Sequence, residues 1–236
     1  MQYNLVYCDD YKNITKYVDK NSVDLVLIDP PYGINYTKWD KKESVDYHII
    51  AKLVKYLLKP NGSFFCFAGW SNVCEIISIL KHYFILKDWI IYDRIKGRGA
   101  KKSLVSTRED LLWFINNNKN YIFNKEEAYS TIPKKTKGMG EKNGKKFRAL
   151  SNVWTDISPI VPWSKERVKH PTQKPLKLIE RIIKVFTNEN DLVVDFFAGS
   201  GTTAVACKKL NRKFIVLDNN FDYCTIIKNR LKNGDL

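Results

Sequence analysis

Val23-Asp24-Leu25-Val26-Leu27-Ile28 runs directly into Asp29-Pro30-Pro31-Tyr32. The first six residues read as a buried strand, almost wholly apolar. The next four place a carboxylate, two residues of fixed φ and an aromatic ring at its carboxyl tip. In open α/β sheets, ligands bind at that end of the strands. Proline has no N–H and its ring locks φ. Pro30-Pro31 is therefore a rigid arm whose carbonyls are free to accept hydrogen bonds. Asp29 adds a second acceptor, and Tyr32 a flat face with a polar tip. Two acceptors beside a stacking face suit an exocyclic amino group on a planar base. Taken alone, the tetrapeptide fits a strand-ending turn equally well.

Working outward, the first 90 residues alternate strand-like and helix-like runs. Strands are predicted over 3–7, 24–28 and 63–67, and helices over about 11–18, 44–58 and 71–83. This alternation predicts a parallel sheet with helices on both faces. Trp89-Ile90-Ile91-Tyr92 and Leu111-Leu112-Trp113-Phe114-Ile115 read as further strands, the second directly preceded by Arg108-Glu109-Asp110.

A second informative stretch lies near the C-terminus. Leu192-Val193-Val194-Asp195 is a strand ending in an acid, followed by Phe196-Phe197-Ala198-Gly199-Ser200-Gly201-Thr202-Thr203 and a helical run. Glycine reaches backbone conformations closed to other residues and lets a ligand come close. Phe214-Ile215-Val216-Leu217-Asp218 then forms another strand tipped by an acid. That acid stands about 20 residues past the glycine turn, the spacing at which a carboxylate meets ribose hydroxyls. No Gly-Lys-Ser/Thr follows, which excludes a P-loop. Only two glycines match the dinucleotide pattern, so the stretch reads as a site for an adenosine-containing cofactor. Strands ending at Asp10, Asp29, Asp195 and Asp218 would bring four acids to one sheet edge.

Together the two stretches resemble the β class of DNA amino-methyltransferases, which methylate adenine N6 or cytosine N4 with S-adenosylmethionine. The resemblance covers nearly the whole chain, with the catalytic motif first and the cofactor motif last. It implies a Rossmann-like methyltransferase fold: a mostly parallel, seven-stranded sheet in circularly permuted motif order. By resemblance, Asp29, Pro30, Pro31 and Tyr32 are catalytic. Cys8, Asp9, Asp10 and Asn219 join Asp29, Asp195 and Asp218 as cofactor residues, with Phe197, Ala198, Gly199, Ser200, Gly201, Thr202 and Thr203. Asp10 matches the acid that meets the cofactor's adenine, and Asp9 stands where the family often has glycine. His170-Pro171-Thr172-Gln173-Lys174-Pro175, before a helix over about 176–186, resembles the segment that closes over the methionine end. It adds His170, Thr172 and Lys174. Family members commonly carry proline where Phe196 stands.

Net charge is +15, and between Arg94 and Arg148 fifteen Lys or Arg face five Asp or Glu, leaving +10 in that stretch. A basic stretch of this kind is the electrostatic footprint of phosphate binding. For any single lysine a solvated surface is the simpler reading; for the cluster beside a base-handling motif, DNA contact is. Residues 116–163 break the strand–helix alternation and are read as a target-recognition insertion between catalytic portions 1–115 and 164–236. Expected DNA contacts are Tyr36 and Trp39 after the catalytic motif, and Arg98, Lys101 and Lys102 in a loop. Lys134, Lys135, Lys137, Lys145, Lys146 and Arg148 in the insertion complete the set. Packing is the better reading for most of Tyr121, Phe123, Tyr129, Trp154 and Trp163.

The composition narrows the remaining classes. No run approaches the ~20 apolar residues of a membrane span, and the start lacks the pattern of a signal peptide. Five scattered cysteines without a C-x-x-C pair argue against a disulfide framework or a zinc site. A cytoplasmic, metal-independent enzyme acting on double-stranded DNA is expected. The resemblance adds a homodimer and a cognate restriction endonuclease as candidate partners. Adenine N6 is the expected target, because cytosine members more often carry Ser where Asp29 stands. The alternatives are a cytosine-N4 enzyme and a catalytically silent DNA-binding specificity partner.

Overall fold

A computed structural model of the chain describes residues 1–32, 45–98, 102, 104–117, 119–133 and 147–233, with backbone alone at 95–98 and 132–133. An eight-stranded sheet runs in the order β1-β10-β9-β2-β3-β5-β4-β8. Its strands are β1 (Leu5–Cys8), β2 (Val23–Ile28), β3 (Leu58–Ala68), β4 (Ile85–Arg98), β5 (Ser106–Ile115), β8 (Val153–Trp154), β9 (Leu192–Asp195) and β10 (Lys213–Asp218). Every pairing is parallel except those that β5 makes with β3 and β4. The mostly parallel sheet is as expected, with two-residue β8 as one strand more at the edge. A separate two-stranded ladder joins β6 (Tyr129–Pro133) to β7 (Phe147–Ala149).

Helices cover both faces because the central strands are apolar on both. Leu25 and Leu27 of β2 point into a cluster with α3 (Leu176–Phe186), α4 (Thr202–Lys209) and α5 (Phe221–Asn233). Val26 and Ile28 point the other way, toward α1 (Tyr47–Leu57) and α2 (Val73–Leu80). This is the two-residue strand period applied to a strand buried on both sides. Asp24, the one charge in β2, is satisfied where it lies. It pairs with Lys59 at 2.7 Å and accepts from the Leu192 N–H at 2.9 Å, tying β2 to β9.

Several boundaries differ from the sequence reading. Residues 11–18, expected as a helix, form a 3₁₀ turn over Tyr11–Lys16, started by Asp10 accepting from the Lys12 N–H at 2.9 Å. The expected strands 89–92 and 111–115 extend into a long antiparallel pair. Toward the far end its added residues include Asp93, Arg94, Arg108, Glu109 and Asp110, so apolar periodicity ends there before the ladder does. Arg94 and Glu109 pair across it at 3.5 Å.

The flanks of the 116–163 segment belong to the main core. Ala128, Trp154 and Ile157 are buried in it, and Tyr121 meets Trp113 edge-on. Phe123 stacks on Trp113 at 6.2 Å, and Asp156 holds Arg181 of α3 through two bonds of 2.8 and 2.6 Å. Packing is thus the role of Tyr121, Phe123 and Trp154, whereas Trp163 is 78% exposed.

Candidate active site

Strands β1, β10, β9 and β2 end side by side, with Cys8 opposite Asp218 and Val216 opposite Asp195. Over their carboxyl ends lies a cavity of about 400 Å³, within the usual range for a small-molecule site. The structure brings most of the expected cofactor residues to it: Asp10, Asp29, His170, Thr172, Lys174, Asp195, Phe197, Ala198, Gly199, Ser200, Thr202, Thr203, Asp218 and Asn219 all line it. Three do not. Cys8 is exposed on the strand end. Asp9 turns away and ties the 3₁₀ turn together, accepting from Asn13 Nδ2 and Tyr17 Oη at 2.8 Å each. Gly201 lies beneath the turn, where an added Cβ would meet Ile227 at 2.7 Å. Of the two acids, Asp10 is the one that lines the cavity.

The glycine turn is built by side chains reaching back to the backbone. Asp195 accepts from the Phe197 N–H at 3.0 Å and from Thr203 Oγ1 at 2.6 Å. Burial dominates its titration and, despite those two bonds, lifts its pKa to about 7. Asp218 accepts from the Gly199 N–H at 2.7 Å and the Asn220 N–H at 2.9 Å. Gly199 and Gly201 hold φ of +50° and +77°, left-handed conformations that favour glycine. Tyr11 and Phe197 face each other at 5.0 Å on the opposite wall. Phe196 is buried in the sheet core and also borders the cavity. A polar end with two acids, an aromatic wall and a close backbone turn fit an adenosine-containing molecule.

The 170–174 segment closes the other side. His170 sits on the turn: a Cβ on Gly199 would lie 2.8 Å from its Nε2. Its Nδ1 accepts from the Thr172 N–H at 3.3 Å, and its ring meets Tyr223 edge-on at 4.6 Å. Burial, with a smaller contribution from the Lys174 charge, pulls its pKa down to about 4.

The catalytic candidates stand at the boundary of this cavity. Asp29 and Pro31 line it. Pro30 is buried behind them and Tyr32 is partly buried. Tyr32 Oη donates to Asp29 Oδ1 at 2.8 Å. Burial first, then the nearby Asp29 charge, pushes the phenol pKa well up, so it stays a donor. Asn72 fixes the tyrosine backbone, its Nδ2 donating to the Tyr32 carbonyl at 3.0 Å while its Oδ1 accepts from the Gly69 N–H at 3.1 Å.

Lys174, expected on the cofactor, lines the cavity and aims its ammonium at the Asp29 carboxylate. Nζ lies 2.6 Å from Asp29 Oδ2 and 3.2 Å from Glu109 Oε2. Burial opposes its charge, but Asp29 and Glu109 outweigh that and raise its pKa. Nothing in the sequence pointed to Glu109, which read only as the charged start of a strand. Tyr11, Asn220 and Tyr223 were also missed as lining residues; Tyr11 and Asn220 were within reach as immediate neighbours of Asp10 and Asn219.

Of the expected DNA contacts, Lys102 and Arg148 are exposed. Tyr36, Trp39, Lys101, Lys134, Lys135, Lys137, Lys145, Lys146 and the side chain of Arg98 lie outside the described residues. Among the described residues, no cluster of His, Cys, Asp or Glu is arranged to hold a metal ion, and no helix is long and apolar enough to cross a membrane.

Comparison with known proteins agrees with this arrangement. A DNA methylase family model, covering N6 and N4 enzymes, matches residues 23–229. The type II methyltransferase M1.MboII of Moraxella bovis is 36% identical over 87% of this chain and 88% of its own length. The DNA adenine methyltransferase YhdJ of Escherichia coli (strain K12) is 31% identical over 92% of this chain and 78% of its own. Among solved structures, the M1.HpyAVI–SAM complex superposes with a TM-score of 0.66 at 30% identity, covering 95% of this chain and 98% of that one.

Proposed function

The chain belongs to the β-class N6-adenine/N4-cytosine DNA methyltransferases, and from that premise we propose that it methylates the exocyclic N6 of adenine within a short duplex sequence. The observation that carries this reading is the place of Asp29. It stands at the tip of β2, on the wall of the cavity and at the start of the rigid Pro30-Pro31 arm. A group bound in the cavity and a base laid against Tyr32 would meet at that carboxylate.

S-adenosylmethionine fits the cavity, and when bound it supplies an electrophilic methyl group. Asp10 and Asp218 would hold its adenosine end, the Tyr11–Phe197 pair would border the ring on one side, and His170 and Thr172 would close over its methionine end. The chain's other task concerns the amino nitrogen, a poor nucleophile because its lone pair is delocalised into the base. Asp29 and the Pro30 carbonyl accept its two N–H bonds. They favour a pyramidal nitrogen and strengthen as positive charge develops, so they stabilise the transition state more than the ground state. Tyr32 stacks on the base.

A base in a duplex cannot reach this edge and must flip out, at a cost of about a few kcal/mol. Phosphate contacts from the basic stretch between Arg94 and Arg148 offset that cost, and residues within 116–163 select the sequence. Adenine rather than cytosine follows from Asp at the first motif position. A second copy of the chain and a cognate restriction endonuclease complete the proposed setting, a cytoplasmic restriction–modification system.

The test is modification-sensitive sequencing of DNA from a methylation-free host expressing the chain. N6-methyladenine at one short recurring motif is the expected result. Methyl groups on cytosine N4 would keep the mechanism and overturn the base; unmodified DNA from cells holding soluble, cofactor-binding protein would overturn the substrate.

A further inference from the structure

In the structure, the carboxylate assigned to the base's amino group already carries a donor on each oxygen. Asp29 Oδ1 takes the Tyr32 hydroxyl at 2.8 Å and Oδ2 takes the Lys174 ammonium at 2.6 Å. A charge-assisted bond of that length is the strong kind. The ammonium therefore stands where an amino N–H of the base would be received. Each oxygen can accept a second bond, but an N–H approaching Oδ2 must share it with a buried ammonium unless the ammonium shifts.

It has one place within reach. Glu109 Oε2 is buried and already forms a second, longer ion pair with Lys174 Nζ at 3.2 Å, outside good hydrogen-bond alignment. A buried acceptor whose donor is long and poorly aligned gains when that donor moves closer. Glu109 is otherwise held by Arg94 at 3.5 Å, which leaves Oε2 directed at the lysine. The Lys174 ammonium also lies 4.8 Å from the centre of the Phe67 ring and 5.7 Å from that of Tyr32. Those faces help it remain charged in a side chain only 9% exposed. The ammonium thus bridges two carboxylates, held more closely by Asp29 than by Glu109.

We propose that Glu109 is a positioning residue that draws the Lys174 ammonium off Asp29 as the target base enters, leaving Asp29 Oδ2 free for the amino group. Without a base, the ammonium keeps the two carboxylates from repelling each other. With a base, it shifts toward Glu109 by well under the length of one hydrogen bond and the site's net charge is unchanged. This rests on the reading of Asp29 as the acceptor for the base.

The test measures transfer of tritiated methyl from S-adenosylmethionine to DNA of a methylation-free host. Glu109→Gln should lower kcat by about tenfold or more while cofactor affinity, read by calorimetry, stays near that of the wild type. The decisive variant is Lys174→Met combined with Glu109→Gln. With the competing ammonium gone, it should turn over faster than Glu109→Gln alone. Residues with a purely structural role would give a double variant at least as slow as the worse single, and that result overturns the proposal. So does Glu109→Gln at the wild-type rate, or loss of cofactor affinity in step with rate. Glu109→Asp keeps the charge and should fall between wild type and Glu109→Gln. If the double variant does not fold, Glu109→Asp as slow as Glu109→Gln overturns the idea. A wild type that transfers no methyl to DNA overturns the Asp29 reading itself, and this inference with it.

Discussion

The two halves of the site are held in opposite ways. Around the glycine turn, acids bind the backbone close by: Asp195 takes the Phe197 N–H, and Asp218 takes those of Gly199 and Asn220. At the catalytic edge, Asp29 is held by side chains, one of them 145 residues away in sequence. Backbone donors have little freedom to move, so the turn offers a fixed shape to a ligand part that never varies. Side-chain donors at the edge can change partners, and there a charge can be handed over. On the proposed function, the difference separates binding at the turn from transfer at the edge.

The sharpest way to break that separation is Asp29→Ala. Removing an acceptor preorganised for the transition state costs on the order of 10²–10³ in rate, and tritium transfer to DNA should fall at least that far. Calorimetry should find cofactor affinity falling far less than the rate, because Asp29 lines the cavity but makes none of the bonds that shape the glycine turn. Equal losses of rate and affinity would mean that the two halves act as one.

Gly201→Ala attacks the other half. Gly201 has φ of +77°, and an added Cβ would come within 2.7 Å of Ile227 Cγ1. Backbone strain of that kind costs about 1–3 kcal/mol. It should appear as a lower urea midpoint and weaker S-adenosylmethionine binding, with kcat at saturating cofactor largely kept. An unchanged midpoint would show that α5 gives way and that the turn is less fixed than its bonds imply.

The same contrast explains what the sequence made legible. Asp195, the glycines and Asp218 could be read because strand, turn, helix and second acid follow one another along the chain. The Asp29-Pro30-Pro31-Tyr32 arm was equally local. The partners of Asp29 were not: Lys174 belongs to the segment before α3, and Glu109 lies on a strand three places from β2 in sequence and two in the sheet. No periodicity announces a buried ion pair. The Asp9 and Asp10 pair was ambiguous for a related reason. Adjacent acids look alike until Asn13 and Tyr17 claim one of them. The length of β4 and β5 was hidden because their far ends are laid down by charged residues, Arg94 and Glu109 among them.

His170 joins the two halves and gives the smallest and most specific test. Its Nε2 face rests on Gly199 of the turn, and its pKa, about 4, is depressed by burial and then by Lys174 of the edge. Its Nδ1 accepts from the Thr172 N–H, a bond that requires the neutral ring. The folded chain therefore binds fewer protons at this site than the unfolded chain, where the ring titrates near its ordinary 6.5. Its contribution to stability is complete above pH 6.5 and is lost as pH falls from there toward about 4. Partial exposure of the ring reduces the effect, to about 1 kcal/mol between pH 7 and pH 5. His170→Asn cannot titrate and should lack this loss. The stability difference between wild type and variant, read from urea midpoints, should be widest at pH 7 and narrower at pH 5. A difference that stays constant would mean that the imidazole is not seated on the turn. The closing segment would then belong to the movable edge alone, and the fixed half of the site would end at Gly199.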